Sequence, residues 1–291
     1  MNKLNQQSLI YALSAVFFWS TVATVFKISL EGMHYSQLLF YSSLTSTIAL
    51  GFFVKKEKGV LQIFSSKLML LGFLNPFLYY LLLFNAYTLL PAQEAQPLNF
   101  TWPIVLSLFS VLFLKEKINL KIITGLLSAF IGVLIIATRG NLLELKFDNP
   151  FGVSLAVGTS LIWASFWILN LKDERSSIIK LFGGFFWGTI FSGIYILFFN
   201  SFRLENYNYL FGAGYVGLFE MGITFLLWNK GLQLSMDKAK TATLAFLAPF
   251  LSLVFIATIL GETILPSSIA GLVFIVGGIV YQNMKKIKFK Q

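Results

Sequence analysis

"PIVLSLFSVLFLKEKINLKIITGLLSAFIG", residues 103–132, and "PFLSLVFIATILGETILPSSIAGLVFIVGG", residues 249–278, share one skeleton. Pro103, Glu116, Gly125 and Gly132 stand 13, 9 and 7 residues apart, and Pro249, Glu262, Gly271 and Gly278 repeat those spacings at an offset of 146. Upstream, "FFWSTV" around Trp19 matches "LIWASF" around Trp163 at an offset of 144, which implies a small insertion or deletion. One such match is easily fortuitous, but the whole set in order is not. The chain reads as two copies of one unit, 1–143 and 144–291.

Each copy reads as membrane-embedded. Apolar residues make up 57% of the 291 and charged ones 12%, with 32 phenylalanines, whereas a soluble domain carries about 25% charged residues. A spanning helix needs about 20 mostly apolar residues. Ten segments qualify: 8–30, 36–54, 67–89, 92–114, 118–138, 150–170, 178–199, 209–232, 238–260 and 266–284. They lack two-residue alternation and exceed strand length, so helices are expected rather than a barrel. The first run is longer than a signal-peptide core of about 7–15 residues and reads as a retained span. The expected fold is an all-α integral membrane protein of ten transmembrane helices in two inverted five-helix repeats.

Charge supplies the orientation. With the N-terminus in the cytoplasm, inside loops hold Lys3; Lys55, Lys56, Lys58 and Lys67; Lys115, Lys117 and Lys121; Lys172, Arg175 and Lys180; Lys238 and Lys240; and Lys285, Lys286, Lys288 and Lys290. That is most of the 22 basic residues, as the positive-inside rule requires. A multi-pass protein of the cytoplasmic membrane with both termini inside is expected. The +10 charge is thereby topological, and no nucleic-acid partner is expected. The partners are the lipid bilayer and a small-molecule substrate.

An odd number of spans per unit inverts the second copy relative to the first. Inverted repeats give secondary transporters two conformations of similar energy, one open to each side. Glu116 and Glu262 precede the fifth span of each unit, where a carboxylate suits the positive end of a helix dipole. Gly125, Ala129 and Gly132, like Gly271 and Gly278, line one helix face with small residues and permit close helix packing. Those faces serve dimerisation as well as intrachain contact, so oligomeric state is not legible.

These residues resemble the drug/metabolite transporter superfamily and its EamA group. The resemblance rests on Trp19-Ser20 followed by Lys27, and on the proline, "FLKEK" or "ILGET" and spaced glycines of each half, over about Tyr11 to Tyr281. More narrowly, "NAYTLLPAQEAQPLNFTWPIVLSLFSVLF" looks like the branch that exports aromatic amino acids and some planar cationic toxins. Glu94-Ala95, Asn99, Trp102 and Pro103 match its pattern, while Phe100 stands where that branch has tyrosine. In the second span this chain has "LLFYSSL" where many relatives place an arginine.

In "PAQEAQPLNFTWP", residues 91–103, Pro97 and Pro103 each remove an amide hydrogen and free a carbonyl one turn earlier. Such backbone survives in lipid only against protein or a water-filled path, so this helix is expected to wall the pathway. Gln96 and Asn99 offer amides to a solute and Trp102 an indole. Trp19 and Trp163, at equivalent places, Asn75 of the helix-bending "NP" with Tyr79 and Tyr80 beyond it, and Trp228 complete the expected lining. Glu220 is the only acid expected well inside a span, and an ionisable residue there is by default functional. It reads equally as a proton carrier, a partner for a substrate ammonium, or a carboxyl paired with Lys27 or Lys230. Lys27 and Glu31 also read as an interfacial pair, and His34 as a solvated loop residue.

The function expected is export of a small organic solute, an amino acid or related metabolite, with stacking and cation–π contacts favouring an aromatic one. Import by the same fold and a non-transporting scaffold are the alternatives. An enzyme is not expected: there is no cysteine, one histidine and no acidic pair at membrane depth, hence no cofactor or metal site.

Overall fold

The computed structural model describes residues 3–55, 57, 59–114, 120–144, 147–171, 173–236, 241 and 243–283. Glu116 and the basic residues Lys56, Lys58, Lys115, Lys117, Lys146, Lys172, Lys238, Lys240 and Lys285 onward lie outside them. Ordered elements among the described residues are helical. Eight helices are long and apolar enough to cross a membrane: α1 Gln6–Leu30, α2 Tyr35–Val54, α3 Ser66–Leu89, α4 Ala92–Phe113, α5 Leu120–Ala137, α6 Pro150–Asn170, α7 Ser177–Phe199 and α8 Tyr207–Leu234. Two shorter apolar helices follow, α9 Leu244–Leu260 and α10 Pro266–Tyr281. They fall on the last two expected spans. The protein is an all-α integral membrane protein.

Which side chains face outward follows from the solvent. Ile48, Phe52, Leu127, Phe130, Leu197, Phe198 and Val254 are exposed, as lipid allows. Ser20, Thr24, Ser42, Ser43, Ser46, Thr159, Ser160 and Ser192 are buried between helices. With no hydrophobic drive between helices in lipid, small residues and interhelical hydrogen bonds carry the packing. Thr47 Oγ1 lies 3.0 Å from Thr189 Oγ1 where α2 meets α7.

The glycine faces pack within the chain, α5 against α10. A Cβ on Gly132 would lie 2.6 Å from the Gly271 carbonyl oxygen, and one on Gly278 would lie 2.9 Å from that of Gly125. As residue number rises on α5 it falls along its partner, so the two helices run antiparallel. Between these contacts Ser128 Oγ donates to the Phe274 carbonyl at 2.6 Å. Backbone cannot yield as a flexible side chain can, so Gly132→Ala is expected to cost about 1–3 kcal/mol by overpacking. A thermal melt of the purified variant checks this against Gly158→Ala, whose Cβ meets nothing within 4 Å. Equal melting of the two variants would contradict it.

The proline and glycine breaks sit in α3, α4 and α8. In α3, Asn75 leaves the helical region (φ −146, ψ 117) ahead of a cis bond to Pro76. Gly188 of α7 makes room for the Pro76 ring, since a Cβ there would clash with it. In α4 the helix is interrupted between Asn99 and Trp102. In α8, a π-helical stretch at Val216–Glu220 precedes a break at Gly222 (φ −120, ψ −96).

His34 does more than face solvent. It is exposed, yet it is the N-cap of α2: Nδ1 accepts from the Ser36 amide, and Gln37 Oε1 accepts from the His34 amide at 2.9 Å. Partial burial holds the imidazole below its ordinary value. The folded state therefore binds the proton less readily than the unfolded one, and stability falls as pH drops below about 6.5 through the lowered folded value. His34→Asn, which caps without titrating, is expected to flatten the melting temperature between about pH 7 and 5. An unchanged slope would clear His34 of the effect.

Candidate functional site

α1, α3, α4, α6 and α8 converge on an aromatic cluster in the interior. Its hub is Trp163 of α6, 8% exposed. Ring centroids lie 4.8 Å away at Tyr79, 6.1 Å at Trp102, 5.7 Å at Phe166, 6.2 Å at Trp167 and 6.5 Å at Phe225. Phe225 leads on to Trp19 of α1 at 5.7 Å, which meets Trp228 at 5.2 Å. The two tryptophans at equivalent places in the repeat thus share Phe225 as a neighbour.

Polar groups thread this cluster. Tyr79 donates to Asn99 Oδ1 at 3.2 Å, and Asn99 Nδ2 donates to Thr159 Oγ1 at 2.8 Å. The adjacent Tyr80, fully buried, donates to Glu220 Oε1 at 2.9 Å. Tyr79 and Tyr80 rings stand 4.8 Å apart, so the two hydrogen-bonded pairs adjoin. Trp163 Nε1, Trp167 Nε1, Gln96 Oε1 and Glu220 Oε2 are buried without a hydrogen-bond partner among the described residues. Native interiors leave few such atoms, and two indole donors and one carboxyl acceptor among them belong to this contact network. That is what a solute with an apolar body and polar ends requires.

Contacts link Trp19, Tyr79, Tyr80, Asn99, Trp102, Trp163, Glu220 and Trp228. Gln96 sits one turn before Asn99, half-buried. Asn75 shares no ring contact or hydrogen bond with them among the described residues, and its Oδ1 is buried without a partner there. Thr159, Trp167 and Phe225 were not singled out from sequence. Trp167 carried a legible signal, because it lies four residues after Trp163 and so shares its helix face. Among the described residues no group of three or more His, Cys, Asp or Glu is placed to hold a metal ion.

The polar stretch before Pro97 has a different use. Glu262 accepts from the amides of Ala92 (2.9 Å) and Gln93 (3.2 Å), so it caps the start of α4 rather than that of the helix that follows it. A carboxylate there answers both the free amides and the dipole. The Gln93 side chain reaches the same loop, donating to Thr263 O and accepting from Leu265 N and Ser268 Oγ. Arg139 Nε donates to Glu94 Oε1 at 2.8 Å, and its Nη1 pairs with Asp148. Lys27 pairs with neither Glu31 nor Glu220: its Nζ donates to the carbonyls of Tyr87 (2.8 Å) and Leu90 (2.9 Å) at the end of α3. A cation thus meets the carbonyl end of α3 and an anion the amide end of α4. Three parts of the chain, Lys27 of α1, Arg139 after α5 and the α9–α10 loop, clasp the α3–α4 connection.

At the opposite face, Arg175 donates to both oxygens of the buried Asp173, to Ser65 Oγ and to Gln62 O. These bonds hold the Asp173 carboxyl below the usual range and fasten the α2–α3 loop to the α6–α7 loop.

The EamA-like transporter family model matches residues 6–138 and again 150–284. "Uncharacterized transporter YvbV" of Bacillus subtilis is 27% identical over 226 residues, 73% of this chain and 70% of its own length. An "Uncharacterized transporter" of Clostridium kluyveri is 27% identical over 195 residues, 61% of this chain and 60% of its own. A crystal structure at 19% identity superposes with a TM-score of 0.65, covering 95% of this chain and 96% of that one, which speaks for the fold alone. With both halves matched and eight helices of spanning length among the described residues, the chain belongs to the EamA-like transporter family and is a multi-pass membrane transporter.

Proposed function

We propose that the protein exports an amino acid or related small metabolite, aromatic for preference, by alternating access between two antiparallel five-helix units, 1–143 and 144–291. The observation that carries the reading is the interior cluster around Trp163. Rings from four helices surround it, and Trp163 Nε1, Gln96 Oε1 and Glu220 Oε2 have no hydrogen-bond partner among the described residues. An aromatic amino acid has a face for the rings, a carboxylate for an indole donor and an ammonium for an acceptor.

Reciprocity of contacts supports the antiparallel arrangement. At an offset of 146, Gly125 corresponds to Gly271 and Gly132 to Gly278; Gly125 meets Gly278 while Gly132 meets Gly271. Ser128 and Phe274, equivalent at the same offset, meet each other. A two-fold axis across the helices produces this pattern. The helix pairs repeat it: α1 packs on α8 and α9 as α6 packs on α3 and α4, and α2 packs on α7. Interlocked in this way, the units rock about a shared centre.

Counterflow in proteoliposomes tests the function. Vesicles loaded with unlabelled L-tryptophan are expected to draw in labelled L-tryptophan or L-phenylalanine faster than labelled L-leucine. Uptake no faster than in protein-free vesicles removes the aromatic amino acid from the reading.

A further inference from the structure

Glu220 sits at a joint. The π-helical stretch Val216–Glu220 adds a residue to the turn, and the backbone breaks two residues later at Gly222. Such π-bulges gather at functional sites. Here it turns the carboxyl toward α3, where Tyr80 donates to Oε1 at 2.9 Å, while Oε2 is buried and unpartnered. No ion pair among the described residues includes Glu220.

The groups around it are neutral on every side. α3 presents the phenols of Tyr80, Tyr79 and Tyr87, the titratable groups that interact with Glu220. α1 packs on the same stretch through Phe18, stacked 4.4 Å from Phe219, and through Thr21, bonded to Tyr215. α2 contributes Ser46, donating to the Met221 carbonyl. Lys27 of α1 is committed to the carbonyls of Tyr87 and Leu90. A carboxyl without a cation at membrane depth has one chemical freedom that its neighbours lack, which is to gain or lose a proton.

We propose that Glu220 is the chain's proton-binding site and that the Tyr80–Glu220 bridge ties its proton to the contact between α3 and α8. The coupling part rests on the transport reading above. Uptake forms one O–H bond at Oε2, where no group of the described residues competes, and converts carboxylate to acid; release returns that proton to water. The Tyr80 bond to a carboxylate is charge-assisted and its bond to the acid is not, so protonation weakens the α3–α8 bridge and deprotonation restores it. Proton occupancy and helix contact thereby become linked equilibria. α3 and α8 are the third helices of the two units, so the bridge spans the parts that alternating access moves.

Infrared spectroscopy of the full chain in lipid tests proton binding without any solute. Titrating the wild type is expected to remove the C=O stretch of a protonated carboxyl. That band is missing in Glu220→Gln and titrates at a different pH in Tyr80→Phe. If wild type and Glu220→Gln give the same titration, the proposal fails. Coupling is read in proteoliposomes with L-tryptophan and an imposed pH gradient. For one-for-one exchange, one pH unit supports about a tenfold solute ratio, and this is expected of wild type and Glu220→Asp. In Glu220→Gln the ratio is expected to stay near one, and a ratio that still follows the gradient overturns the coupling. If wild type moves no tryptophan at all, the transport reading fails on its named solute, and the infrared titration still decides the proton site.

Discussion

Trp163→Ala is expected to abolish tryptophan counterflow and to destabilise the fold by about 3–5 kcal/mol, the cost of truncating a large buried aromatic. Trp163 is 8% exposed and neighbours five other rings, drawn from α3, α4, α6 and α8. Its removal leaves a cavity at the convergence of those helices. Trp163→Phe separates the two roles of the side chain. It keeps most of the ring contacts but lacks the Nε1 donor, which has no partner among the described residues. The phenylalanine variant should therefore melt within about 1.5 kcal/mol of wild type while its apparent affinity for L-tryptophan falls about tenfold, the equivalent of one hydrogen bond to a charged group. Melting curves and counterflow titrations measure both. Wild-type affinity in Trp163→Phe would remove the indole N–H from solute binding.

The second large effect is expected at the clasp. Glu262→Gln removes the negative charge from the start of α4 and leaves one carbonyl oxygen to serve two amides, those of Ala92 and Gln93. Hydrogen bonds to charged groups contribute about 1.5–3 kcal/mol, and each 1.4 kcal/mol shifts an equilibrium about tenfold. The population in which α4 has separated from the α9–α10 loop should rise by about that factor. The chain contains no cysteine, so a single Gln96→Cys reporter reads the opening directly. Labelling by a membrane-impermeant maleimide, added from the side of the clasp, is expected to quicken about tenfold when Glu262→Gln is added. Unchanged labelling would make the clasp a static cap. Arg139→Gln, which unpairs Glu94 and Asp148, should act in the same direction.

Both effects bear on what could be read before any coordinates. Composition and run length identified ten lipid-soluble segments, and the spacing Pro103–Glu116–Gly125–Gly132 disclosed the repeat. Trp19, Tyr79, Asn99, Trp163 and Glu220 stand out in the sequence because aromatic, amide and acidic groups in an apolar helix are costly or conspicuous, and their part in solute binding is the proposal made above. Asn75 shows the limit of that signal. It is equally conspicuous, yet no ring contact or hydrogen bond among the described residues ties it to the Trp163 cluster, and its Oδ1 is buried without a partner there. Gln93 and Glu94 show it again: in the sequence they are polar residues beside a proline-rich break with no legible partner, and they serve the clasp.

The sequence by itself determined that the chain is helical, membrane-embedded and internally repeated. Hydropathy and spacing are properties of a segment and its near neighbours, and lipid leaves an apolar segment little choice but to satisfy its backbone within itself as a helix. The tertiary structure alone decided who meets whom: Glu262 on α4 across 170 residues, Lys27 on the end of α3, Gly132 against Gly271, and Tyr80 against Glu220. Between helices already dissolved in lipid, association is chosen by close fit and a few interhelical hydrogen bonds. Fit of that kind depends on helix rotation and crossing, and no local pattern of residues encodes either.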